Sequence, residues 1–175
     1  VSENYPQLPP NSNLIFACHI TGVYDVNRST TLQNDNFELV RAWVESVAAA
    51  KLNGVLFHNG FSEETCQTYE SEHLTFVKIS YNPQFNPNVY RYLVYLDFLE
   101  KQANPPANIF VTDVSDVTLV KNPFTDPLFI ASTNTLFCGD EPTVLANEWM
   151  LAHASSLRSQ IDDYADYEAH FAADT

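Results

Sequence analysis

Ile109-Phe-Val-Thr-Asp-Val-Ser-Asp-Val-Thr-Leu-Val-Lys-Asn-Pro-Phe124 opens as an apolar β-branched run and ends abruptly in two carboxylates, Asp113 and Asp116. A second apolar run, Val117 to Val120, follows before Asn122-Pro123 breaks the chain. Open α/β sheets bind ligands at the carboxyl ends of their strands. A carboxylate pair at such an end suits a hard divalent cation carrying a phosphorylated ligand.

Working outward, Leu14–Ile20, Val55–His58 and Leu74–Ile79 are short apolar runs bounded by polar or turn residues, and they read as buried strands. Ile109–Thr112 is a fourth strand, placed in the sheet interior, and Thr135–Cys138 is a fifth. Between them, Phe37, Val40, Trp43, Val44, Val47 and Ala48 recur at helical spacing over Phe37 to Lys51, with Phe37, Val40, Val44 and Val47 expected to be buried against the sheet, and the helix stops at Asn53-Gly54. Glu63 to Glu70 is a short helix with Ser62 at its N-cap. Val89 to Lys101 is another helix, with Tyr92, Leu93, Leu96 and Leu99 on one side. From Leu145 onward the pattern is mostly helical. Strands alternating with helices predict a three-layer α/β/α sandwich with a mostly parallel central sheet. Residues 1–12, with Pro6, Pro9 and Pro10, read as an extended arm, and 13–175 as a single α/β domain with an acidic helical tail.

The composition narrows the function. With 175 residues, 45% of them hydrophobic and 13% aromatic, the chain has material for one packed core. A net charge of −14 disfavours nucleic acid and anionic membrane, whose phosphates need Lys and Arg. Asp140 to Thr175 holds eight acids against Arg158 alone, so seven of the fourteen net charges fall there. That pattern fits a solvated helix face or a surface for a basic partner. No apolar run approaches the ~20 residues that span a bilayer. No targeting segment is visible, which leaves both the secretory lumen and the cytoplasm open. Cys18, Cys66 and Cys138 have no metal or redox spacing. With only Gly22, Gly54, Gly60 and Gly139, no glycine-rich phosphate cradle exists. The five histidines form no zinc pattern, and G-x-S-x-G is absent.

Read in order, these features resemble the nucleotide-binding half of a glycosyltransferase of the GT-A type. A first strand runs into a polar loop with His19, Thr21 and Arg28. The Trp-bearing helix Ala42-Trp-Val-Glu-Ser46 and the strand Gly54-Val-Leu-Phe-His-Asn59 follow. Then come the helix Tyr90-Arg-Tyr-Leu-Val-Tyr-Leu-Asp-Phe-Leu99 and the acidic Thr112-Asp-Val-Ser-Asp-Val117, which resembles the family's Asp-x-Asp motif. The resemblance implies a Rossmann-like sheet, a nucleotide-sugar donor and Mn²⁺ or Mg²⁺ held by Asp113 and Asp116. It implies donor contacts from His19, Thr21, Arg28 and Arg91, and transfer of the sugar to an acceptor glycan, protein or small molecule. Asp140 and Glu141, in Cys138-Gly-Asp-Glu-Pro142, are the candidates for an acceptor base. Family members usually continue well beyond the acidic strand, so against that resemblance the chain is a truncated enzyme ending after the donor-binding half, a minimal one, or a fold relative without activity.

The motif here is Asp-x-x-Asp, and residues three apart on a strand face opposite sides. The two carboxylates converge only if Thr112 to Asp116 leaves the strand and turns, which Asp and Ser favour. Carboxylates about 5 Å apart repel by roughly 3 kcal/mol at an effective dielectric near 20, and a cation offsets that repulsion. The alternative is a pair that caps a turn and binds nothing. Arg91 as a surface arginine packed on Tyr95, His19 as a satisfied core histidine, Arg28 as a solvated loop residue and Asp140-Glu141 as a helix start complete that alternative. The chain would then be a non-catalytic acidic α/β module binding a protein or carbohydrate.

Overall fold

The structure, a computed structural model, describes residues 5–25, 28–130 and 135–137. The chain divides into two compact units, Val1–Ser132 and Thr133–Thr175. All the elements below belong to the first.

Strand β1 is Asn13–His19, and a small hairpin follows from β2 (Tyr24–Asp25) and β3 (Thr30–Thr31). Helix α1 is Glu38–Ala49, β4 is Asn53–His58 and α2 is Glu63–Tyr69. Strand β5 is Leu74–Lys78, α3 is Pro87–Glu100 and β6 is Asn108–Val111. A 3₁₀ turn at Pro123–Thr125 and the one-turn helix α4 (Pro127–Ile130) close the unit. The main sheet has the order β5-β4-β1-β6, with all three pairings parallel. This is an α/β fold with helices on both faces of a parallel sheet.

Alternation along β1 divides the core between the two faces. Phe16 points into a cluster with Val55, Phe57, Val94 and Phe98, under α3. Ile15 and Ala17 point the other way, to Leu56, Val40, Trp43 and Val47, under α1. Because β1 and β4 are covered on both faces, they read as continuous apolar runs. On α1 the buried positions are Val40, Trp43 and Val47, with Phe37 buried at the N-cap. Val44, predicted among them, is only half-buried, since the indole of Trp43 occupies the centre of that face beside Gly54.

Two expectations are corrected here. The apolar run Ile109–Val111 lies at the edge of the described sheet, not in its interior, and Val111 remains 39% exposed. Three apolar residues carry no information about whether a strand has one neighbour or two. On α3 the buried face is Tyr90, Val94, Tyr95 and Phe98. The expected face is turned outward: Tyr92, Leu93 and Leu96 lie exposed with Val89, and Leu99 is half-buried. Both stripes satisfy helical spacing. The sheet selects the bulkier one, because Phe98 interlocks edge-on with Phe57 and Phe16, ring centroids 5.1 and 5.7 Å apart.

Asn86 caps α3, accepting from the Asn88 N–H, and Pro87 occupies the first turn. The N-terminal arm is tied to the far end of the same helix. Tyr5 stacks edge-on against Phe98, and Gln102 accepts from the Leu8 N–H at 3.0 Å while donating to the Pro6 carbonyl at 3.2 Å. The predicted fifth strand does not form over Thr135–Phe137, where all three residues are exposed; Cys138 lies outside the described residues. The helical tail from Leu145 also lies outside them.

Candidate functional site

The acidic segment is held from beneath. Strand pairing ends at Val111, and the Thr112 N–H still donates to the Phe16 carbonyl at 2.9 Å. The Thr112 hydroxyl, turned inward, accepts from the Trp43 indole N–H at 2.8 Å. Val114 is buried in the α1 cluster, and the Leu119 N–H donates to the Ser46 hydroxyl at 3.0 Å. Residues 114–116 bend away from the strand direction. With Thr112 and Val114 anchored inward, Asp113, Ser115 and Asp116 are left on the exposed side. The departure from strand geometry that the Asp-x-x-Asp spacing demands is therefore present.

Above them opens a cavity of about 370 Å³ at the carboxyl edge of the sheet. Its walls come from four places: the end of β1, the β2–β3 hairpin, the first turn of α3 and the segment Asp113–Asp116. His19, Arg28, Arg91, Asp113 and Asp116 all line it.

Arg91 reaches in from α3. Its guanidinium pairs with Asp113, its Nε donates to the Asn88 carbonyl at 3.1 Å, and it lies 5.1 Å from the centre of the Tyr92 ring. The Arg91 side chain is 18% exposed and that of Asp113 58%. Burial works against the charge on Arg91, while Asp113 favours it, and the net shift is upward. Asp116, exposed, forms no ion pair among the described residues. On the hairpin, Arg28 pairs with Asp25 at 2.7 Å.

His19 is 3% exposed and lies against Phe61 with nearly parallel rings 5.4 Å apart. Its Nε2 has no hydrogen-bond partner among the described residues. Burial, aided by nearby Arg28, pushes its pKa down to about 4, so the ring is neutral at pH 7. A neutral imidazole keeps one donor and one acceptor nitrogen, and here the unpartnered Nε2 is itself buried. Cys18 beside it is inert, since burial pushes the thiol up to about 12.

Thr21 belongs to a different network. Its hydroxyl donates to Asn34 Oδ1 at 2.6 Å, and its backbone is clasped by the Asn59 amide at 2.8 and 3.1 Å. It fastens β1 to the loop after β4 and does not line the cavity. A sulfur–imidazole contact, Cys66 Sγ to His58 Nε2 at 3.6 Å, is structural too. His58 Nδ1 accepts from the Phe61 N–H, so the ring proton sits on Nε2 and points at the sulfur. Such a histidine is no base for that thiol, whose pKa burial raises further.

Sequence reasoning missed Tyr24 and Asp25 on the hairpin and Asn86 and Asn88 at the start of α3, all of which line the cavity. The signal available was position: Asn86-Pro87 opens a helix just after a strand's carboxyl end. Asp140 and Glu141 lie outside the described residues. Among the described residues no cluster of three or more His, Cys, Asp or Glu side chains is placed to hold a metal. Two exposed carboxylates still fit Mg²⁺ or Mn²⁺, hard ions that take one or two carboxylates and complete their shell with phosphate and water. No helix among the described residues is long and apolar enough to cross a membrane. Compared with protein-family models, with curated proteins and with solved structures, the chain finds no match.

Proposed function

We propose that this chain is a glycosyltransferase-like domain of the GT-A type that binds a nucleotide-sugar donor. The observation that carries the reading is convergence: three carboxylates, two guanidinium groups and one buried imidazole line one cavity at the carboxyl edge of a parallel sheet. Neither a purely acidic nor a purely basic cavity would suit a nucleoside diphosphate carried by a cation; this one supplies both signs. Asp113 and Asp116 would hold Mn²⁺ or Mg²⁺. A metal there offsets the charge that builds on a departing diphosphate. Arg28 and Arg91 supply the fork geometry that phosphate oxygens accept. His19, neutral and recessed beside Phe61, offers an uncharged hydrogen bond to the less polar part of the donor. The acceptor and its base belong to the remainder of the protein's chemistry, with Asp140 and Glu141 as the candidates.

Titration with nucleoside diphosphates, followed by calorimetry with and without Mn²⁺, tests the reading. Mn²⁺ should strengthen binding at least tenfold, and Asp113→Ala should abolish that enhancement while leaving the fold intact. The variant is expected to fold, because Asp113 is exposed and the anchors on either side of it are Thr112 and Val114.

A second reading, a non-catalytic module that binds a protein or carbohydrate, draws on the outward stripe of α3. Val89, Tyr92, Leu93 and Leu96 are 44% to 58% exposed and successive along one helix face. Apolar faces of that kind mark contact surfaces. Absence of nucleotide binding at any metal concentration would make this the better account.

A further inference from the structure

Resting on that donor-site reading, we propose that Arg91 is an exchangeable counter-ion: it occupies Asp113 in the ligand-free cavity and moves to phosphate when a divalent cation takes its place. Three features of the cavity lead there. First, Arg91 and a metal compete for one group. The guanidinium pairs with the Asp113 carboxylate, one of the two that the cation would need, and two positive ions cannot share it at close range without strong repulsion. Second, the partners are unequally buried. Asp113 is mostly exposed, whereas Arg91 is recessed, tethered through its Nε to the Asn88 carbonyl and resting on the Tyr92 ring. A displaced guanidinium therefore stays within the cavity instead of swinging to bulk water, and it needs a new acceptor, since an unpaired buried charge is costly. Third, the same cavity lining includes a second guanidinium, that of Arg28, held by Asp25 at 2.7 Å, so the space a ligand would enter already carries positive charge besides that of Arg91.

The consequence is obligatory coupling. A cation alone is opposed by the guanidinium on Asp113 and, on displacing it, leaves Arg91 with no carboxylate and only the Asn88 carbonyl at its Nε. A diphosphate alone meets an arginine already engaged and a carboxylate that repels it. Together they exchange partners: Asp113 turns to the cation and Arg91 to the phosphate. Each ligand then raises the affinity of the other by the same factor, as linkage requires. Arg91 is thus a positioning residue that withholds the metal site until a phosphorylated ligand arrives.

The test uses the full chain, Mn²⁺ and inorganic pyrophosphate, with Mn²⁺ binding read by electron paramagnetic resonance and pyrophosphate binding by calorimetry. In the wild type, saturating pyrophosphate should tighten Mn²⁺ at least tenfold. In Arg91→Gln, Mn²⁺ alone should bind several-fold more tightly than to the wild type, and the coupling factor should fall toward one. Arg91→Lys keeps the charge without the fork, so its Mn²⁺ affinity should lie between the two; it carries the same comparison if Arg91→Gln does not fold. Mn²⁺ affinity equal to or weaker than wild type in both variants, with the wild type still showing metal-dependent pyrophosphate binding, would overturn the exchange and leave the donor site standing. No Mn²⁺ binding to the wild type, with or without pyrophosphate, would instead remove the donor-site reading itself.

Discussion

At the scale of single residues, Gly60 shows how tightly the frame beneath the cavity is drawn. Its backbone passes so close to Thr21 and Asn34 that an added Cβ would lie 2.0 Å from the Thr21 hydroxyl oxygen and 2.6 Å from Asn34 Oδ1. Those two atoms are hydrogen-bonded to each other, so neither yields without breaking the link between the end of β1 and the loop that precedes α1. Gly60→Ala should lower stability by about 1–3 kcal/mol, the usual penalty of overpacking, and an unchanged urea midpoint would contradict the contact. The sequence signals Asn59-Gly60 as a strand terminator, but not that the glycine is needed for space. Asp113 and Asp116 show the opposite relation. Their chemistry is legible from the string, while the direction they face depends on Thr112 being caught by the Trp43 indole, 69 residues away.

At the scale of elements, α3 is the instructive case. Val89, Tyr92, Leu93 and Leu96 form one stripe with helical spacing, and Tyr90, Val94, Tyr95 and Phe98 form another on the opposite side. A helix apolar all round carries no periodic signal to say which side the sheet takes. Paired substitutions read the answer directly. Phe98→Ala should cost about 3–5 kcal/mol through the cavity it leaves, whereas Leu96→Gln should change stability by no more than about 0.5 kcal/mol, as for other surface positions. Comparable losses in both would mean that the outward stripe is covered in solution. The first turn of α3 begins two residues before the Val89 expected from the sequence, although Asn86 and Pro87 are a cap and a first-turn residue whose chemistry is local.

For the molecule as a whole, stability should depend on pH through two buried histidines. Burial lowers both His19 and His58 to about 4, with neighbouring cations adding to the effect. The unfolded chain, with its histidines near 6.5, binds two more protons than the folded one between those values, so stability rises with pH there. Their contribution is complete above about pH 6.5 and is lost as the pH falls toward 4, by up to about 3 kcal/mol per histidine. Urea unfolding at pH 7.5, 6 and 4.5 should show most of the loss before the carboxylates titrate, and a flat profile over that range would contradict the burial of both rings. The amino-acid sequence by itself determined the alternation of strands and helices, the parallel sheet and the acidic segment after β6, because apolar runs, caps and breakers act over a few residues and need no distant partner. Tertiary structure alone decided that β6 is an edge of the described sheet, that Trp43 outranks Val44, that α3 turns Tyr92, Leu93 and Leu96 to solvent, and that Thr21 ties loops together while Arg91 meets Asp113. Each of those depends on which groups compete for one space or one partner across the fold, and that competition is set by packing between segments far apart in the chain.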